Sequence, residues 1–139
     1  MYLIVGGMGQ GKEHIAIGQF DLKPEEVLDV AECKLTPEGV TAFLAGEEGL
    51  RIRCLNHLHC LLREHWDSET DWQDWCRQLA KRRPELVILM DEVGSGIVPI
   101  ETKERRYREL AGRVGCMLAA QAKTVTRVVC GIGVVIKSS

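Results

Sequence analysis

The chain alternates between short apolar runs and longer stretches of helical period. Tyr2-Leu3-Ile4-Val5 contains nothing polar, the pattern of a strand buried on both faces. A glycine-rich segment follows, then a helix from about Lys12 to Phe20. Residues 21–26, with Pro24, read as a turn, and residues 27–31 as a second strand. Thr36-Pro37-Glu38 predicts a helix start with proline in the first turn, and Gly46 and Gly49 close that segment. Residues 50–55 are predicted as a third strand, passing into a helix around residues 56–65. Ser68, with Asp71 three residues on, resembles a capping box. Behind it Trp72, Trp75, Cys76, Leu79 and Ala80 recur at helical spacing, until Lys81-Arg82-Arg83 and Pro84 end the helix. Residues 86–90 are a further apolar strand. After the loop at residues 93–99, Tyr107, Leu110, Ala111, Val114, Met117 and Leu118 share one helical stripe. Residues 125–130 and 134–137 flank Gly131-Ile132-Gly133 as a closing β-hairpin. Strands alternating with helices predict an α/β fold, a mostly parallel sheet covered by helices on both faces.

Composition narrows the class. The 139 residues suit a single domain spanning residues 1–139, with 45% apolar and 27% charged residues, the balance of an ordinary globule. A net charge of −2 gives no general attraction for nucleic acid or anionic lipid. No apolar run reaches membrane-spanning length, and the N-terminus lacks the basic flank of a signal peptide. The six cysteines form no C-x-x-C pair and read as reduced, mostly buried thiols of a cytoplasmic protein.

The chemistry concentrates in two places. Gly6, Gly7, Met8, Gly9, Gln10, Gly11, Lys12 and Glu13 follow the first strand and open the first helix. Glycines free backbone N–H groups to converge on a phosphate, the helix N-terminus adds its dipole, and Lys12 supplies a point charge. This is the frame of a P-loop, G-x-x-x-x-G-K-[ST], except that Glu13 stands where a Mg²⁺-binding hydroxyl belongs. A carboxylate 4 Å from a phosphate at an effective dielectric of 20 repels by about 4 kcal/mol. Glu13 therefore either binds Mg²⁺ itself or turns outward. The second place is Asp91-Glu92, two acids ending an apolar strand. Asp91 is the candidate metal carboxylate, and Glu92 the candidate catalytic group orienting or deprotonating a hydroxyl. The plain alternatives are a tight ligand-free turn and a solvated strand end. Cys54, His57 and Cys60 could just converge on a helix face as metal ligands, against buried thiols and surface histidines as the plainer reading. Arg105, Arg108 and Arg113 are candidate phosphate or substrate contacts in a basic set with Lys103 and Arg106. Glu101, Glu104 and Glu109 offset that set, as on a solvated face.

Three strings carry a family resemblance: Glu92-Val93-Gly94-Ser95-Gly96-Ile97-Val98-Pro99, Arg105-x-Tyr107-Arg108-Glu109-Leu110-Ala111-Gly112-Arg113-Val114, and Gly131-Ile132-Gly133-Val134-Val135-Ile136-Lys137. Together with the loop at residues 6–12 they closely resemble the bifunctional adenosylcobinamide kinase/adenosylcobinamide-phosphate guanylyltransferase family of cobalamin synthesis. The resemblance implies a P-loop nucleotide-binding fold, ATP or GTP as co-substrate with Mg²⁺, a corrinoid substrate and a homo-oligomer, often a trimer.

The chain departs from the family pattern. The family passes GMP through a histidine in a segment after the second strand; residues 32–49 here contain none, so the guanylyl acceptor is missing unless His57 or His59 has moved into its place. The family's acid before Cys-Leu of the third strand is Arg53, and its asparagine after A-G-R-x is Gly115. Glu13 and Arg53 are expected to form a compensating pair across the crevice. Two functions follow from the resemblance. One is an enzyme keeping at most the kinase step, with Lys12 on the phosphates; the other is an inactive relative that binds nucleotide or corrinoid as an interaction module.

Overall fold

A computed structural model describes residues 1–93 and 101–138. The expected loop at residues 93–99, and with it most of the Glu92–Pro99 string, lies outside the described residues after Val93. The elements run β1 (Tyr2–Gly6), α1 (Lys12–Phe20), β2 (Val27–Asp29), α2 (Pro37–Ala45), β3 (Cys54–Asn56), α3 (Leu58–Glu64), α4 (Trp72–Arg82), β4 (Val87–Asp91), α5 (Thr102–Gln121), β5 (Thr124–Val129) and β6 (Ile132–Ser138). They build one six-stranded sheet of order β2-β3-β4-β1-β5-β6. Every neighbouring pair is parallel except β5 and β6, which form the closing antiparallel hairpin. The α/β architecture expected from the pattern is the one observed.

Alternation along the strands explains the layers. Leu3, Ile88, Met90 and Val125 face a large core shared with α2, α3, α4 and α5. Ile4, Val87, Leu89 and Val128 point the other way, against Ala16 of α1. Strands buried on both faces need no polar alternation, which is why β1 and β4 read as continuous apolar runs. The stripe on α5 meets the larger core through Tyr107, Leu110, Ala111, Val114 and Leu118. Trp75 is buried in the same core, and its indole Nε1 donates to Pro37 O at 2.9 Å, tying α4 to the start of α2.

Three boundaries differ from expectation. The third strand is Cys54–Asn56, not residues 50–55, because Glu48–Arg51 form a 3₁₀ turn. Gly49 there lies against α2 so tightly that a Cβ would sit 1.8 Å from Phe43 O. Arg83 donates to Leu44 O and Gly49 O at 3.1 and 3.0 Å, and also to Ile52 O, which lies inside the expected strand. Strand β2 stops at Asp29, two residues before the expected end; Asp29 Oδ1 accepts from Ala31 N at 2.9 Å and turns the chain. The cap of α4 is Asp71, whose carboxylate accepts from Asp74 N at 3.1 Å. Ser68 instead hydrogen-bonds Thr70.

Candidate functional site

Carboxyl ends of parallel strands line the ligand crevice of an open α/β sheet, at the point where strand order reverses. Here that point is β1, which lies between β4 and β5, and its last residue Gly6 is in register with Asp91 on one side and Val128 on the other. The sheet therefore sets the glycine loop beside the strand-end acids. Gly6 must lack a side chain, since a Cβ would lie 2.5 Å from Val128 O.

The loop backbone has the conformation its glycines permit. Gly9 and Gly11 take φ of 74° and 95°, and Gly11 is the N-cap of α1 with no side-chain cap. Gln10 N donates to Gly7 O at 3.3 Å; among the described residues no backbone carbonyl accepts from the N–H of Gly9, Gly11, Lys12 or Glu13. Gln10 braces the loop rather than lining it: its carbonyl accepts from Gly131 N at 2.8 Å and its side-chain Oε1 from Cys130 N at 2.6 Å. The tip of the β5–β6 hairpin thus holds the loop from the side.

Lys12 is buried, and its ammonium reaches Asp91 Oδ1 at 2.6 Å and Gly7 O at 2.9 Å. The sheet thus brings Lys12 and Asp91, singled out separately in the sequence, into direct contact. Glu92 stands next to them, clasped by Arg127 through Nε at 2.8 Å and Nη2 at 3.1 Å. Glu13 is exposed on the first turn of α1. Its proposed partner Arg53 is elsewhere: Arg53 donates to Phe20 O at 2.8 Å and pairs with Glu26 at 3.3 Å. Arg53 precedes β3, at the end of the sheet opposite the strand-end acids, so the expected compensating pair does not form.

Two histidines join the strand ends. His57 takes a left-handed φ of 62° just before α3 and places Nδ1 2.9 Å from Asp29 Oδ1. His59 Nδ1 accepts from Asp91 N at 3.0 Å, and its Nε2 lies 3.3 Å from Asp91 Oδ2. Burial pushes the His59 pKa down; Asp91 opposes this, and His57, Lys12 and Arg63 add to it. Cys54 is turned to the α1 side of the sheet, where burial pushes its thiol up to about 12. Cys54, His57 and Cys60 therefore take separate environments, and among the described residues no cluster of three or more metal-binding side chains occurs.

The arginines of α5 lie along its outer side. Arg105 donates to Thr102 Oγ1 at 3.4 Å, Arg108 approaches Glu104 at 3.6 Å, and Arg108 and Arg113 line an open trough of about 780 Å³. A second, mostly apolar cavity of about 260 Å³ opens beside the acids, lined by Met90, Asp91, Glu92, Val93, Gly112 and Cys116 among others.

Sequence reasoning did not foresee the contact of His59 with Asp91, the clasp of Arg127 on Glu92 or the bracing role of Gln10. His59 carried one signal, its place three residues beyond the end of an apolar strand. Arg127 is an exposed position of β5 and carried no signal of its own.

The model for cobinamide kinase / cobinamide phosphate guanyltransferase matches residues 41–136, a stretch that contains Asp91, Glu92 and His59 and begins after the glycine loop. The bifunctional adenosylcobalamin biosynthesis protein CobU of Escherichia coli is 51% identical over 131 residues, covering 83% of this chain and 72% of that protein. Its counterpart in Salmonella typhimurium is 32% identical over 114 residues, covering 70% of this chain. The chain spans 63% of that second protein's length. With more than half of its length matched and these identities, the chain belongs to the cobinamide kinase / cobinamide phosphate guanyltransferase family.

Proposed function

We propose that this chain is the kinase of a cobalamin-synthesis step, transferring the γ-phosphoryl group of ATP or GTP to the aminopropanol hydroxyl of adenosylcobinamide. The observation that carries it is the Lys12–Asp91 pair at 2.6 Å, set between the glycine loop and the strand-end acids. Phosphoryl transfer is mostly positioning and charge stabilisation. The loop amides and the dipole of α1 receive the phosphates, and Lys12 moves from Gly7 O onto them. Asp91 and Glu13 offer carboxylate oxygens, the hard donors Mg²⁺ takes, so the residues fit that ion. Mg²⁺ bound with the nucleotide supplies charge neutralisation of the phosphate oxygens. Glu92, fixed by the fork of Arg127, orients the acceptor hydroxyl.

The cavity beside Asp91 and Glu92 supports an acceptor on that side. At about 260 Å³ it is below the usual range for a drug-sized ligand, so it admits the slender aminopropanol arm and leaves the corrin ring outside. The guanylyltransferase step is left out of this reading because residues 32–49 hold no histidine. The protein works in the cytoplasm as a homo-oligomer, in keeping with the exposed apolar row Ile132, Val134, Val135 and Ile136 on β6. No helix among the described residues is long and apolar enough to cross a membrane.

The test is a mass measurement of adenosylcobinamide after incubation with the chain, Mg²⁺ and either ATP or GTP. Gain of one phosphoryl group with either nucleotide supports the kinase. Nucleotide or corrinoid binding without any product favours the binding-module reading.

A further inference from the structure

We propose that His59 is a positioning residue for Asp91, holding its backbone amide so that the strand end carrying the carboxylate keeps its place when Lys12 leaves it for a nucleotide phosphate. This rests on the phosphotransferase reading given above. Strand β4 outlasts its neighbour: the β3–β4 register ends at Leu55↔Ile88, whereas β4 runs on to Asp91. Asp91 N therefore has no strand partner on the β3 side, while the next amide, Glu92 N, turns to Gly6 O at 2.9 Å on the β1 side. His59, one residue into α3, fills the opening with Nδ1.

An imidazole nitrogen that accepts a hydrogen bond carries no proton, so the neutral ring holds its proton on Nε2. That is the atom 3.3 Å from Asp91 Oδ2. The bond from Asp91 N thus fixes the tautomer of the ring. The other carboxylate oxygen, Oδ1, is the one that Lys12 holds at 2.6 Å. When Lys12 shifts to phosphate, Oδ1 is released, while the bond from Asp91 N to His59 still fixes the backbone that carries the carboxylate. Second-sphere histidine contacts of this kind keep a reactive carboxylate oriented. The His59 side chain is 12% exposed, too enclosed for water to replace it readily.

Two measurements test this on the full chain. The first is the ¹⁵N spectrum of the histidine rings in the wild type without nucleotide. The predicted signature for His59 is the neutral Nε2–H tautomer; a proton on Nδ1 would overturn the proposal whether or not the chain proves to be a kinase. The second is kinetic. In His59→Ala, kcat for phosphoryl transfer should fall roughly 10- to 100-fold while nucleotide KM changes far less. His59→Asn, whose Oδ1 can accept from Asp91 N, should recover part of that loss. An unchanged kcat in His59→Ala, or a loss confined to KM, contradicts the assignment.

Discussion

Gly6 does its work through an atom it lacks. With a Cβ, Val128 O would lie 2.5 Å away, and β1 and β5 would have to part next to the loop. Gly6→Ala should lower stability by about 1–3 kcal/mol, the usual cost of overpacking, read from urea denaturation. An unchanged midpoint would show that the sheet relaxes freely there. The thiols give a second prediction. Burial raises Cys54 and Cys76 from 9.0 to about 12 in the folded state. Raised pKa values mean that folding favours the protonated thiols. The stabilisation is therefore complete below pH 9 and is lost as pH climbs from 9 towards 12. In a native sample at pH 8, an alkylating reagent should label the exposed Cys116 and Cys130 first and reach Cys54 and Cys76 only on unfolding. Early labelling of Cys54 would mean that α1 lifts off the sheet.

Among the elements, helices with a strong apolar period were readable from sequence, and short strands were not. The α4 stripe of Trp72, Trp75, Cys76 and Leu79 is buried as its spacing predicts. Its cap was misplaced because Ser68 and Asp71 are both good capping residues, and only the chain's path decides between them. Asp71→Ala should cost about 1 kcal/mol in thermal or chemical denaturation, and Ser68→Ala distinctly less. Strand β3 was misjudged for a reason no local pattern holds: it pairs with β2, three residues long, and Arg83 reaches from after α4 to the carbonyl of Ile52 just before it. Helix α5 carries Gly112 and Gly115 mid-helix, where an added Cβ meets nothing within 4 Å. Each Gly→Ala change there should raise stability by up to about 1 kcal/mol.

At the scale of the whole molecule, the sheet order decides what could be foreseen. Lys12 and Asp91 were legible because each sits in a contiguous motif, and β1 beside β4 brings the two motifs together. Arg127 reaches Glu92, and Cys130 meets Gln10, only because β5 flanks β1 on the other side. Such contacts are properties of topology, invisible to spacing along the chain. The last strand, β6, leaves Ile132, Val134, Val135 and Ile136 between 55% and 66% exposed on a sheet edge, the kind of surface chains cover by association. In the proposed homo-oligomer Val134→Lys should reduce the mass found by light scattering, and an unchanged mass would contradict association through this strand. The most direct test of the proposed phosphate site is a calorimetric titration of ATP or GTP with Mg²⁺ into the wild type and Lys12→Ala. Binding by the wild type, weakened at least about tenfold in the variant, is the predicted result. Equal affinities, or a wild type that binds neither nucleotide, would contradict it.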